Sequence, residues 1–242
     1  MTDLIVLPGL DGTATLHSDF VSSVGEAFDA IDIVAYPRDK RLDYAELERI
    51  ARAALPDSKP FILLGESFSG PIALSIAASP PANLIGLVLS TTFARSPVPL
   101  LSPLAFLARA MPVRSVPGTL LSWLLLSRWA RPPLETALRD ALMLVDPDVI
   151  RFRAATAMRA RLPDSQLSAI AMPVLYLRAT RDRLLSPTAG KHLASLLPDC
   201  TMTEIVGPHL LLQAVPADCA LAVSAFARRL LPAHAEHGTD TT

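Results

Sequence analysis

In the stretch FILLGESFSG, residues 61–70, an apolar run ends on small residues gathered around one serine. Gly65-Glu66-Ser67-Phe68-Ser69 has the form G-x-S-x-small, with Gly70 next. A serine on a sharp strand-to-helix turn is held in a strained backbone conformation, and its neighbours must be small to avoid a clash. The free N–H groups of the following helix point at the site and stabilise negative charge there. A plain glycine-rich turn matches the same five residues. The apolar strand directly before and the helix directly after favour a nucleophile.

A serine hydroxyl is a poor nucleophile without a base. Of the five histidines, His234 and His237 lie in the tail, and His17 and His192 are expected on solvated faces of helices. His209 differs: EIVGPHLLLQ places it in a Gly-Pro turn just past a strand, where loops gather above a parallel sheet. The histidine needs an acid to set its tautomer and stabilise the imidazolium. LYLRATRDRLLSP supplies Asp182 in the turn after another strand, flanked by Arg181 and Arg183. Asp146 and Asp148 are rivals for that role. A tetrahedral intermediate also needs two preset donors. The N–H of Phe68, after the nucleophile, is one; the N–H of Leu10, in the LPGLDGT turn, is the other. Asp11 in that turn reads as structural.

Short apolar runs and amphipathic helices alternate up to residue 94. The expected strands are 4–9, 31–37, 61–65, 84–90, 173–179 and 201–206. Leu16, Phe20, Val24 and Phe28 recur every four residues, as one helix face does. Asp43 and Glu46 have capping-box spacing, and Ser186-Pro187 reads as an N-cap followed by a first-turn proline. Residues 95–165, rich in Pro, Leu and Arg, break the rhythm and suggest several short helices. The pattern predicts a three-layer α/β/α fold, its mainly parallel sheet of about six strands interrupted after the fourth. The core is 1–94 and 166–232, the insertion 95–165, and the polar tail 233–242 is expected to fray.

With 242 residues, 51% hydrophobic and 19% charged, the chain can bury a sizeable core. A net charge of −1 gives no sign of nucleic-acid binding. Two cysteines, Cys200 and Cys219, outside any CxxC or Cys/His cluster, argue against a disulfide framework or a structural zinc. The N-terminus lacks a basic segment before its short apolar run, and TLLSWLLLSRWA at 119–130 is too short to span a bilayer. The expectation is a cytoplasmic protein.

Ser67, Asp182 and His209, in that order and each just after a strand, resemble the triad of the α/β-hydrolase superfamily. The likeness covers nearly the whole chain and rests on LPGLDG, GESFSG, ATRDRLLSP and GPH. Pro8-Gly9 replaces the His-Gly pair of many members, Ser69 replaces a glycine, and the usual first hairpin is expected to be missing. The resemblance implies hydrolysis of a small-molecule acyl ester or thioester through an acyl-enzyme, with no metal or organic cofactor. An acyltransferase or perhydrolase would use the same triad, and a weakly active binding protein could keep the same fold.

The insertion holds ten arginines, no lysine and five acids, so it carries about +5 against −6 for the rest. In this superfamily an insertion there is a helical cap over the active site. Its arginines form either a solvated outer face or a surface for an acidic acyl carrier such as acyl carrier protein or coenzyme A. Arg151, Arg153, Arg159 and Arg161 are the candidates.

Overall fold

The computed structural model describes residues 2–97 and 116–235. Six strands, β1 (Asp3–Leu7), β2 (Ile31–Ile33), β3 (Phe61–Glu66), β4 (Leu84–Ser90), β5 (Val174–Ala179) and β6 (Cys200–Ile205), form one sheet in the order β2-β1-β3-β4-β5-β6. Every pairing is parallel. All six C-terminal ends therefore lie along one edge, where turns can bring distant residues together.

The strands are apolar at successive positions because both faces are covered. On one face Leu4, Val6, Ile62 and Leu64 pack against Phe20 and Val24 of α1 (Ser18–Val24) and Val223 and Phe226 of α10 (Pro216–Ala235). On the other, Ile5, Leu7 and Leu63 pack against α2 (Tyr44–Ala53), α3 (Gly70–Ala78), α7 (Asp164–Ser168) and α8 (Pro187–Leu196). The Asp43–Glu46 capping box starts α2, and the Ser186 side chain caps α8. A short helix, α9 (Leu211–Ala214), precedes α10.

Three expectations need correction. The first two strands end at Leu7 and Ile33, not at residues 9 and 37, because Pro8 and Gly9 leave the ladder and the chain after Ile33 joins the turn after β1, where the Tyr36 N–H donates to Gly12 O at 2.8 Å. The four-residue repeat at Leu16–Phe28 is not one helix face: α1 covers only Ser18–Val24, and Leu16 packs under the insertion instead. The last helix continues to Ala235; the rest of the expected tail, with His237, lies outside the described residues.

Between β4 and β5 the described residues form α4 (Gly118–Leu125), α5 (Pro132–Met143), α6 (Pro147–Ala157) and α7. Arg109 and Arg114 of the insertion lie outside them. α7 belongs to the sheet face described above, whereas α6 meets the turn after β1 through Arg153. Leu126 and Leu138 pack with Leu16 and Leu210, and the Leu210 N–H bonds to Leu125 O at 3.1 Å.

Candidate active site

β3 runs directly into a 3-10 turn, Ser67–Ser69, and then α3. Ser67 sits at φ +45°, a region non-glycine residues seldom occupy. The surroundings force it there. A Cβ on Gly65 would lie 2.6 Å from Ala73 Cβ, and one on Gly70 would overlap the Thr92 hydroxyl. Thr92 Oγ1 also donates to Ser67 O. Both glycines are thus required by packing, and Ser67 is held at the top of the strand.

His209 and Asp182 reach the same place from the turns after β6 and β5. The Ser67 Oγ–His209 Nε2 distance is 2.8 Å, and His209 Nδ1 to Asp182 Oδ2 is also 2.8 Å. The two turns are tied together by the Arg181 N–H, which donates to Gly207 O at 3.0 Å. Asp182 Oδ1 accepts from the N–H groups of Leu184 (2.7 Å) and Leu185 (2.9 Å). Burial opposes ionisation of Asp182. The His209 charge and hydrogen bond, with the Leu185 and Leu184 N–H groups, outweigh it and hold the carboxyl below its ordinary range. In the neutral imidazole, a proton on Nδ1 engaged by that carboxylate leaves Nε2 to accept the Ser67 hydroxyl. Arg183 is turned away: it donates to Trp123 O at 2.9 Å and lies over the Trp123 ring.

The rivals are occupied elsewhere. Asp146 caps α6, and Asp148 pairs with Arg41 and Arg151. Asp11 accepts from the Thr13 N–H at 2.8 Å and from its hydroxyl, which orders the turn. Leu10 lies in that turn, after β1, whose Leu7 pairs with Gly65 two residues before the serine. The Leu10 N–H makes no hydrogen bond among the described residues. Ser69 does more than fit where a glycine is common. Its hydroxyl donates to Pro8 O and meets Tyr36 Oη at 2.8 Å, joining the serine turn to the Leu10 turn.

Beneath the turn lies a second buried pair. His17 Nε2 donates to Glu66 Oε2 at 2.8 Å, and Gln213 Nε2 donates to Glu66 Oε1 at 2.9 Å. Burial disfavours both charges. The Glu66 charge nevertheless raises His17 above its ordinary value, and His17 holds Glu66 below its own. This corrects the expectation for His17, which is fully buried at the start of α1 and not on a solvated face. His192 is exposed on α8 as expected. One signal for the pair was legible: Glu66 is a carboxylate in an otherwise apolar, two-sided strand, and such a group must find a partner.

The four arginines separate. Arg153 is 1% exposed and points inward, so it presents no charge to a docking partner. Arg151 is half-buried and pairs with Asp148 at 2.7 Å. Arg159 and Arg161 are exposed and make no ion pair among the described residues. They line a cavity of about 500 Å³ between α2, α3 and α6, with Tyr44, Ile72 and Phe152. Tyr44 stacks on Phe68 at 5.0 Å between ring centroids, which places this cavity beside the serine turn. The Tyr44 hydroxyl is buried with no partner among the described residues.

A parallel sheet covered on both faces, with Ser, Asp and His on three turns at its C-terminal edge, defines an α/β hydrolase. The chain belongs to the serine aminopeptidase S33 family, whose model matches residues 37–210. The fold is shared with the enol-lactonase from Burkholderia xenovorans LB400 at 17% identity, with a TM-score of 0.72 over 96% of this chain and 91% of that one. A thermophilic esterase from Thermogutta terrifontis is 18% identical, with a TM-score of 0.75 over 95% and 90%. MenH from S. aureus is 17% identical, with a TM-score of 0.73 over 95% and 94%. No curated protein sequence matches the chain. Among the described residues no helix is long and apolar enough to cross a membrane.

Proposed function

We propose that the protein is a serine hydrolase that cleaves a carboxylic ester or thioester through an acyl-enzyme. The carrying observation is the hydrogen-bonded run Asp182–His209–Ser67, each link 2.8 Å. Ser67 Oγ attacks the acyl carbon while its proton passes to His209 Nε2. The carbonyl oxygen becomes an oxyanion, received by the N–H groups of Phe68 and Leu10. Collapse expels the alcohol or thiol, which takes the proton back from His209. Water then attacks the acyl-enzyme, His209 accepts its proton, and the carboxylic acid leaves as Ser67 is restored. Asp182 holds the imidazole in its working tautomer and stabilises the imidazolium.

The family description favours a second reading, attack on the amide of an aminoacyl substrate with the same groups. One experiment separates the readings. A fluorophosphonate probe should label Ser67 rapidly, and p-nitrophenyl esters of increasing chain length should be turned over faster than aminoacyl p-nitroanilides. Labelling with preferred anilide turnover would select the amide reading. Absence of labelling at Ser67 in folded protein would sink both.

For a carrier-linked substrate, the reading narrows to Arg159 and Arg161. Their place at the cavity beside Tyr44, whose lining includes neither Ser67 nor His209, supports an anionic carrier at that rim with the acyl group reaching past it to the serine turn.

A further inference from the structure

Arg153 is a cation buried on α6 with no carboxylate within ion-pair range among the described residues. Burial presses its guanidinium below the ordinary arginine value, with Asp11 and Tyr36 opposing. Burying such a group is costly unless every donor has a task. Three of its five N–H donors are taken by backbone carbonyls. Nη1 donates to Asp11 O at 2.6 Å and Leu10 O at 3.1 Å, and Nη2 to Pro37 O at 2.9 Å. The guanidinium also lies over the Tyr36 ring, 5.6 Å from its centroid.

Consecutive peptide units of the Leu10 turn are therefore pinned in different ways. The carbonyl of Pro8 accepts from the Ser69 hydroxyl. The carbonyl of Gly9 accepts from the Gly12 N–H at 3.0 Å. The carbonyls of Leu10 and Asp11 accept from Arg153. In a trans peptide the N–H points opposite to the C=O. Committing Gly9 O to Gly12 thus aims the Leu10 N–H the other way, and the pinned units on either side stop that peptide from rotating. Gly12 fits the same cradle: it sits at φ +66°, and a Cβ there would lie 2.4 Å from Arg153 Nη1.

We propose that Arg153 is a positioning residue for the Leu10 oxyanion donor, so that seating of α6 and readiness of the oxyanion hole are one coupled event. The proposal rests on the serine-hydrolase reading above. It also explains why an arginine of the charged insertion faces inward. A lysine would keep the charge but cannot present a planar fork to three carbonyls.

The test compares wild type, Arg153→Met and Arg153→Lys on p-nitrophenyl butyrate, with melting temperatures recorded for each. Loss of one preset donor in other enzymes lowers kcat by about 10²–10³-fold. Arg153→Met should therefore lose about 10²-fold in kcat with KM changed less than about threefold, and Arg153→Lys should fall between. The discriminating readout is a trifluoromethyl ketone inhibitor. Its adduct with Ser67 places an alkoxide in the oxyanion hole, so its Ki should rise in step with the fall in kcat/KM. Guanidinium added to Arg153→Ala should restore part of the lost rate.

Folded Arg153→Met with wild-type kcat and inhibitor affinity would overturn the proposal. So would a loss of kcat with unchanged inhibitor affinity, which would mark Arg153 as packing alone. Should Arg153→Met fail to fold, Arg153→Lys decides by the same two readouts. Failure of the hydrolase reading looks different, because wild type would then neither label at Ser67 nor form the ketone adduct.

Discussion

Ser67 holds a backbone conformation that costs on the order of 1–3 kcal/mol for a residue with a side chain, so its neighbours must over-determine it. Thr92 does so twice, by bonding to Ser67 O and by filling the space a side chain at Gly70 would need. Gly70→Ala should lower stability by about 1–3 kcal/mol through overpacking. That corresponds to about 2–4 °C in melting temperature per kcal/mol. Activity should fall further than stability, since displacing Thr92 frees the serine turn. Thermal melts beside kcat on a p-nitrophenyl ester check this, and an unchanged kcat would show that Thr92 does not hold the serine. Within the triad, Ser67→Ala and His209→Ala should each lower kcat by several orders of magnitude with the fold intact, because the residues act as a unit. Asp182→Asn should cost on the order of 10⁴-fold through the wrong histidine tautomer. Near-full activity of Asp182→Asn would mean that the hydrogen-bonded run is not the working triad.

At the scale of elements, the His17–Glu66 pair ties the start of α1 to the end of β3. Removing one partner from a buried pair costs about 3–5 kcal/mol, since the other charge is left stranded. His17→Leu should show that loss near pH 5.5, with Gln213 alone left on the carboxylate. The pH dependence has a definite sign. His17 is raised above 6.5, so its contribution is complete below that value and fades as pH rises through the raised one. Glu66 is lowered from 4.5, so its contribution is complete above 4.5 and fades as pH falls through the lowered value. Both are complete between 4.5 and 6.5. Urea unfolding from pH 5 to 9 should therefore show the gap between wild type and His17→Leu narrowing at alkaline pH. A gap that stays constant across that range would mean that folding does not change the protonation of His17, and a gap that widens from pH 5 to 6.5 would mean that the buried imidazole is neutral.

Across the whole molecule, the insertion carries about +5 and the remainder about −6, but the structure divides those positive charges by task. Arg153 serves the Leu10 turn, Arg151 shares Asp148 with Arg41, and Arg95 pairs with Asp164. Arg159 and Arg161 stay at the cavity rim. Rim charges act mainly on encounter, and salt screens them. Changing both to Glu should therefore lower kcat/KM for an acyl-carrier thioester more than for p-nitrophenyl butyrate, and should flatten the salt dependence of the carrier reaction. Equal losses on both substrates would assign these arginines to the seating of α6. No loss on either would leave them as a solvated face.

Periodicity and turn chemistry are local, and they were legible in the sequence. Apolar runs marked six strands, the Asp43–Glu46 and Ser186-Pro187 pairs marked helix starts, and GESFSG between a strand and a helix marked Ser67. Asp182 and His209 could be chosen because a parallel sheet gathers its C-terminal turns on one edge, whatever their distance along the chain. What the sequence could not show is which charged side chains point inward. Arg153 and Arg159 share one short stretch, and only the packing of α6 against the Leu10 turn buries one and exposes the other. His17 looked like a helix-surface residue because its partner, Glu66, is 49 positions away. Hydrophobic patterning reports which face an element buries. The pairing of buried polar groups depends on contacts between elements, and only the tertiary structure settles those.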